Sequence, residues 1–223
     1  MRRLKAAAAL LGLLALLSCT RTEGQARAVY VLLDVSGSYV ATVNDALRAT
    51  KLVLTRLEPN DSISVARIEA CSFSDAAVLV RARLEDRPSA ASAMKSAVAH
   101  RLDSLLSTVR PAQYSDITGA IYQAAQSLRD APQANRYLVI FSDLEEDLPH
   151  ACQRGNLPGF DLKGIHVIAA DVTRLPSDNR SPARYTRRLE AWRKFALNQG
   201  AAEWRVVDDP VELADLVTGR NPG

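Results

Sequence analysis

Two aspartates stand where apolar runs stop. Val29-Tyr30-Val31-Leu32-Leu33 ends at Asp34, and Ser36 and Ser38 follow two and four residues later. Tyr137-Leu138-Val139-Ile140-Phe141-Ser142 is apolar until its last residue and ends at Asp143. One carboxylate with two hydroxyls is an all-oxygen set, which suits a hard cation such as Mg²⁺ better than zinc or copper. Gly37 lets the backbone turn sharply enough for Ser36 and Ser38 to face one point. An unbroken apolar run of this length reads as a strand buried on both faces, the habit of parallel sheets. In open parallel sheets, ligands bind beyond the carboxyl ends of strands, where the strand order reverses. Two aspartates at two such ends can share one site if their strands are neighbours.

The rest of the chain supplies the frame. Its 223 residues are enough for one domain with a proper core. Strands are expected at 29–34, 62–69, 76–84, 136–142, 164–171 and 203–207. Helices are expected at 39–57, 89–108, 117–128, 183–199 and 210–216. The second and third strands form a hairpin around a turn at 71–75, the third as an antiparallel edge. Strands alternating with helices give an α/β fold: a doubly wound, mostly parallel six-stranded sheet with helices on both faces. Met94, Val98, Leu102, Leu105 and Val109 recur at helical spacing and read as core, with His100 on the outer side of that helix. His166 lies mid-strand and is expected in the core. The stretch 144–163 holds Pro149, Gly155, Pro158 and Gly159, and a loop of that length in a compact domain is often functional. A second loop is expected at 173–182.

Asp34-Val35-Ser36-Gly37-Ser38 resembles the D-x-S-x-S signature of von Willebrand factor type A domains, the integrin I-domain-like group, and later pieces follow in the expected order. The resemblance covers roughly Ala28 to Val217, within a domain set at 28–220. It implies the strand order 3-2-1-4-5-6, which puts Asp34 and Asp143 side by side. The family's second motif is a threonine in a loop, T-x-x-x-x-A-[IL]. In Tyr114-Ser115-Asp116-Ile117-Thr118-Gly119-Ala120-Ile121, Ser115 falls in that register, and Thr118 is the competitor by residue type. The implied metal ligands are Asp34, Ser36, Ser38, Ser115 and Asp143, holding Mg²⁺, or Mn²⁺ or Ca²⁺ in its place. In the family the hydroxyls bind the ion directly and the aspartates often act through water. A coordination position stays open for a carboxylate from a partner protein, and binding is metal-dependent. Many members continue with glycine after the second aspartate; here Leu144-Glu145-Glu146-Asp147 follows. Glu145 and Glu146 could strengthen the cation's binding, repel an acidic partner or fill the open position. Asp116 reads as a helix cap.

The amino terminus reads as a targeting segment. Arg2, Arg3 and Lys5 precede a small, apolar stretch from Ala6 to Ser18, too short to span a membrane and right for a signal peptide at 1–18. Leu16-Leu17-Ser18-Cys19 resembles the bacterial lipobox, which implies cleavage before Cys19 and lipid on its thiol. Residues 19–27 are then a tether. Thr20 after Cys19 favours the outer membrane by the enterobacterial sorting rule, so the expected place is the bacterial envelope, facing the periplasm. The whole chain carries a formal charge of +3. Arg2, Arg3 and Lys5 leave with the signal, so the mature chain is formally neutral and gives no argument for nucleic acid. Cys71 and Cys152 remain, each a few residues past an expected strand, and an oxidising compartment permits them to pair.

Two other functions compete. A hydrolase using Ser36 would need Gly-x-Ser-x-Gly or a nearby base. Ser36 lacks the first glycine, and His100, His150 and His166 show no pairing with it, so an enzyme is not expected. A metal-independent scaffold lipoprotein could bind through a basic helix face of Arg184, Arg187, Arg188, Arg193 and Lys194, opposite a core face of Tyr185, Leu189, Trp192 and Ala196. That charged face reads as solvated. The expected partner is an envelope or secreted protein offering a carboxylate.

Overall fold

The computed structural model describes residues 25–72, 77–106, 110–150, 152 and 161–219. The expected signal segment 1–18, Cys19, Val109 and 153–160 lie outside the described residues. Six strands form one sheet: β1 (Arg27–Asp34), β2 (Ser62–Ile68), β3 (Val78–Arg83), β4 (Asn135–Phe141), β5 (Ile165–Ala170) and β6 (Glu203–Val207). Their spatial order is β3-β2-β1-β4-β5-β6. Every neighbouring pair is parallel except β2 with β3, which is antiparallel. This is the doubly wound sheet and the strand order that the resemblance implies.

The alternation of side chains along β1 explains why its sequence is apolar throughout. Val29, Val31 and Leu33 enter one core; Ala28, Tyr30 and Leu32 enter the other. On the first face lie α1 (Val43–Arg56), α2 (Pro88–Leu106) and α6 (Pro210–Thr218), through residues such as Leu47, Leu102 and Leu213. On the second lie α3 (Ile117–Asp130) and α5 (Pro182–Asn198), through Ile121, Ala125 and Ala196. Each buried Leu, Val or Ile contributes roughly 1.5–3 kcal/mol, so the rim of β1 and β4 rests on strand ends buried on both faces. Among the described residues no helix is long and apolar enough to cross a membrane.

Three expectations are corrected. The helix expected from residue 39 starts as a 3₁₀ turn, Val40–Thr42, before α1. Ser36 O accepts from both Tyr39 N and Val40 N, and this tightens the chain before regular α geometry begins. The loop expected at 173–182 holds a short helix, α4 (Pro176–Arg180), with Pro at its start and Asp178 accepting from Leu175 N at 2.8 Å. His166 is not a core residue. β5 lies next to the edge strand β6, so one face of it is only half covered: His166 stacks on Tyr137 with ring centroids 5.1 Å apart and meets Glu203 at 3.3 Å.

Candidate metal centre

Asp34 closes β1 with no solvent exposure, and three donors converge on it. Ser36 N reaches Oδ1 at 2.8 Å, the Ser115 hydroxyl reaches Oδ1 at 3.2 Å, and the Ser142 hydroxyl reaches Oδ2 at 2.5 Å. Burial pushes the Asp34 carboxyl above its ordinary range; the bonds from Ser142 and Ser36 pull it back, and the charge of Asp143 adds to the rise. Leu33 pairs with Phe141, so the β1–β4 register sets Asp34 beside Ser142 and Asp143 one residue beyond. Ser36 and Ser38 have their hydroxyl oxygens 3.2 Å apart, Ser36 nearly buried and Ser38 exposed at the rim. Gly37 N donates to Ala112 O at 3.1 Å and Ala112 N to Val35 O at 2.8 Å, which pins this turn to the loop carrying Ser115.

Ser115 is held from both sides. Its N donates to Asp147 O at 2.8 Å and its O accepts from Asp147 N at 3.1 Å. The next residue, Asp116, caps α3: Oδ1 accepts from Gly119 N at 2.9 Å and Oδ2 from Ser72 N at 3.0 Å. Asp116 N in turn donates to Glu69 O at 2.8 Å. A Cβ at Gly119 would collide with the Asp116 carboxylate, so the cap needs glycine there. Cys71 and Cys152 are joined, with Cα atoms 5.8 Å apart, across the loops that flank Ser115. Ser115, the residue favoured by register, touches Asp34. Thr118 N is taken by Glu146 Oε1 at 2.7 Å within the first turn of α3.

Asp143 is held differently. Its Oδ1 accepts from Glu145 N at 2.9 Å, while Oδ2 is buried and has no hydrogen-bond partner among the described residues. The chain then turns through Leu144 with φ of 60°, the left-handed region that costs a side-chain-bearing residue roughly 1–2 kcal/mol and explains why glycine suits this position. Leu144 N donates to the Ser142 hydroxyl at 2.9 Å, and Trp192 Nε1 donates to Leu144 O at 2.9 Å. Arg188 Nε donates to Asp143 O at 2.8 Å. Its NH2 group meets Asp178 at 2.7 Å, a pair in which the arginine side chain is 9% exposed and the aspartate 0%. Hydrogen bonding from Arg188 holds the Asp178 carboxyl below its ordinary range despite burial. Arg188 is therefore no part of a solvated basic face: it is the strut beneath Asp143. The sequence reading missed it, and missed Ser142 and Asp178. The serine one residue before Asp143, at a strand end, was the available signal for the first. The arginine carried none, since its partners Asp178 and Asp143 lie ten and 45 residues away, on other elements.

The assembled donors are two carboxylates and three hydroxyls, all oxygen, with one buried carboxylate oxygen unpartnered. That is the chemistry a hard divalent cation takes. No group of three or more His, Cys, Asp or Glu side chains among the described residues could hold a metal. Any ion at this rim would therefore rest on the serines as well as on Asp34 and Asp143. Glu145 points to Arg188 at 3.5 Å and Glu146 to α3, so both are engaged away from Asp34 in this structure.

The sequence matches no family model and no curated protein. Solved structures do match. A von Willebrand factor type A protein from Catenulispora acidiphila superposes with TM-score 0.52 at 15% identity, over 87% of this chain and 41% of that one. This chain thus spans less than half of that protein. An aerotolerance-related membrane protein from Bacteroides fragilis gives TM-score 0.52 at 15% identity, over 87% of this chain and 98% of that one. The conserved hypothetical protein BatB from Bacteroides thetaiotaomicron gives 0.50 at 13% identity, over 87% and 96%. At such low identity the likeness concerns the fold, and together with the strand order it shows that this chain has a von Willebrand factor type A-like domain.

Proposed function

We propose that this chain is an envelope-anchored module that binds another protein through a divalent cation held by Asp34, Ser36, Ser38, Ser115 and Asp143. The observation that carries the reading is the buried Asp143 Oδ2, unpartnered among the described residues, at the end of the strand that neighbours the one ending in the buried Asp34. Two adjacent buried carboxylates repel unless a positive charge lies between them. A bound Mg²⁺ or Mn²⁺ would supply that charge and an electrophilic position for a partner's carboxylate. The chain's own residues do the remaining work. Ser142 and Ser36 N fix the Asp34 carboxylate, Asp147 and the Asp116 cap fix Ser115, and Arg188 fixes the backbone of Asp143. Mostly neutral donors would leave the ion short of negative charge. The Ser36 hydroxyl is partnered by Ser38, which supports a ligand role over that of a nucleophile. Lipid on Cys19 would set the module at the envelope; one matching structure is that of a membrane protein.

The test is thermal unfolding of the full chain in detergent, titrated with Mn²⁺ after EDTA treatment. Wild type is expected to gain stability in a saturable way, and Ser36→Ala and Asp143→Asn to lose most of that gain. Equal gains in all three proteins would remove the reading. Capture of a partner from envelope extract that persists in EDTA would remove its metal dependence.

A further inference from the structure

The sheet has a second chemically distinct rim, far from Asp34 in strand order. Among the described residues β3 is an edge strand, paired on one side only, with β2. An edge strand offers backbone groups to an added strand. Grooves lie on both of its faces. One, of about 1120 Å³, lies between β3 and α2, with Met94 and Val98 as apolar lining and His100 and Arg101 beside them. The other, of about 480 Å³, lies toward α3 and is polar, with Ser62, Ser64, Gln123 and Gln126. Arg81, Ala82 and Arg83 line both. Among the described residues no acidic side chain lines the larger groove, whereas three arginines and a histidine do, and Asp130 is the one acid lining the smaller. Val80 packs into the core while Arg81 and Arg83 stand exposed. Arg101 Nε donates to Leu79 O at 2.8 Å, so one carbonyl of the strand is already taken and the stretch left for pairing is Val80 to Arg83. A register shift opposite Val65 and Ala66 marks the same limit.

We infer that the β3 edge is a docking surface for an extended, acidic segment of a partner protein, added as a seventh strand. Strand addition sends alternate side chains to opposite faces, one set into each groove. Backbone bonds would come from Val80 to Arg83. Apolar side chains would meet Met94 and Val98 in the larger groove, and carboxylates would meet Arg81 and Arg83 on the opposite face. Removal of residues 1–18 would leave the chain formally neutral, so this basic strip would be a local feature that gives local complementarity. The competing role for edge arginines is to repel strand pairing altogether.

The experiment uses the full chain in detergent and a fluorescent octapeptide of alternating Glu and Val, read by anisotropy. Saturable binding is expected in EDTA, unchanged by Mn²⁺. It should weaken roughly tenfold or more in Arg81→Glu/Arg83→Glu, whose exposed positions leave folding intact, checked by thermal unfolding. A peptide with proline at the two central valines, or with Lys in place of Glu, should bind no better than background. Absence of saturable binding to wild type, equal binding by the double variant, or equal binding of the proline peptide would each overturn the proposal. Binding that requires Mn²⁺ and survives the double variant would assign the peptide's carboxylate to the Asp34 rim; that result sinks this inference and leaves the metal-dependent reading standing.

Discussion

Asp34 and Asp143 both stand at the carboxyl ends of neighbouring parallel strands, Asp34 as the last residue of β1 and Asp143 two residues past β4, and are treated in opposite ways. Asp34 receives three donors, two of them hydroxyls from other segments. Among the described residues Asp143 receives one, from Glu145 N, and keeps an oxygen without a partner. Its support comes through the backbone instead, from Arg188 and, one residue on, from Trp192. The difference separates two jobs. Asp34 organises the loops around the rim by gathering their hydroxyls. Asp143 is presented, with its backbone clamped and its side chain left short of donors. A buried group in that condition costs about 1–3 kcal/mol until something pairs with it, which makes it the place where a cation would gain most.

The strongest way to break this contrast is to remove the strut beneath Asp143. Asp178→Ala leaves the Arg188 guanidinium, only 9% exposed, without its main partner. Breaking a buried pair in this way costs about 3–5 kcal/mol, or a fall in Tm of about 10 °C for a chain of this size. The pH dependence has a fixed sign. Arg188 lowers the Asp178 carboxyl below the ordinary 3.8. The pair's contribution is therefore complete above pH about 4 and is lost as pH falls through the lowered value. Unfolding melts between pH 7 and pH 3 should show an acid-labile component in wild type that Asp178→Ala lacks. A variant within about 1 kcal/mol of wild type at pH 7 would mean that Asp143 is held by something other than Arg188.

The next effect belongs to the other aspartate. Asp34→Ala strands Ser36 N and the hydroxyls of Ser115 and Ser142. The expected cost is about 2–3 kcal/mol in EDTA, before any metal is considered. Chemical denaturation in EDTA measures it. A cost near zero would show that the three donors find other acceptors and that Asp34 is not the organiser of the rim.

Much of this was legible in the sequence because the two inner strands announce themselves. Val29 to Leu33 and Tyr137 to Phe141 are apolar on both faces, and only a central strand has two cores to enter. The D-x-S-x-S turn follows the first of them directly. Ser115 needed the family register, since a lone serine in a loop carries no signal of its own. The Asp178–Arg188 strut was illegible for a different reason. Arg188 sits among four other basic residues near one face of α5 and looks like them in sequence. What sets it apart is Asp178 on a five-residue helix that periodicity cannot detect. His166 misled because strand position implies burial only when both neighbours are long, and β6 has five residues.

The smallest expected effect is the most informative. In Asp143→Asn the amide oxygen can still accept from Glu145 N, while the amide nitrogen stands where an unpartnered carboxylate oxygen was. One of two neighbouring buried charges is gone, which removes the smallest upward push on the Asp34 carboxyl and leaves burial, the largest, in place. The EDTA-treated variant should lie within about 1 kcal/mol of wild type, on the more stable side. Its response to Mn²⁺ should shrink at the same time. Chemical denaturation with EDTA and with Mn²⁺ reads both quantities on one protein. The two aspartates then differ in kind: Asp34→Ala is costly with or without metal, and Asp143→Asn is costly only where metal is present. If Asp143→Asn cost as much as Asp34→Ala in EDTA, Asp143 would be a second organiser of the rim, and its unpartnered oxygen would carry no argument for a cation.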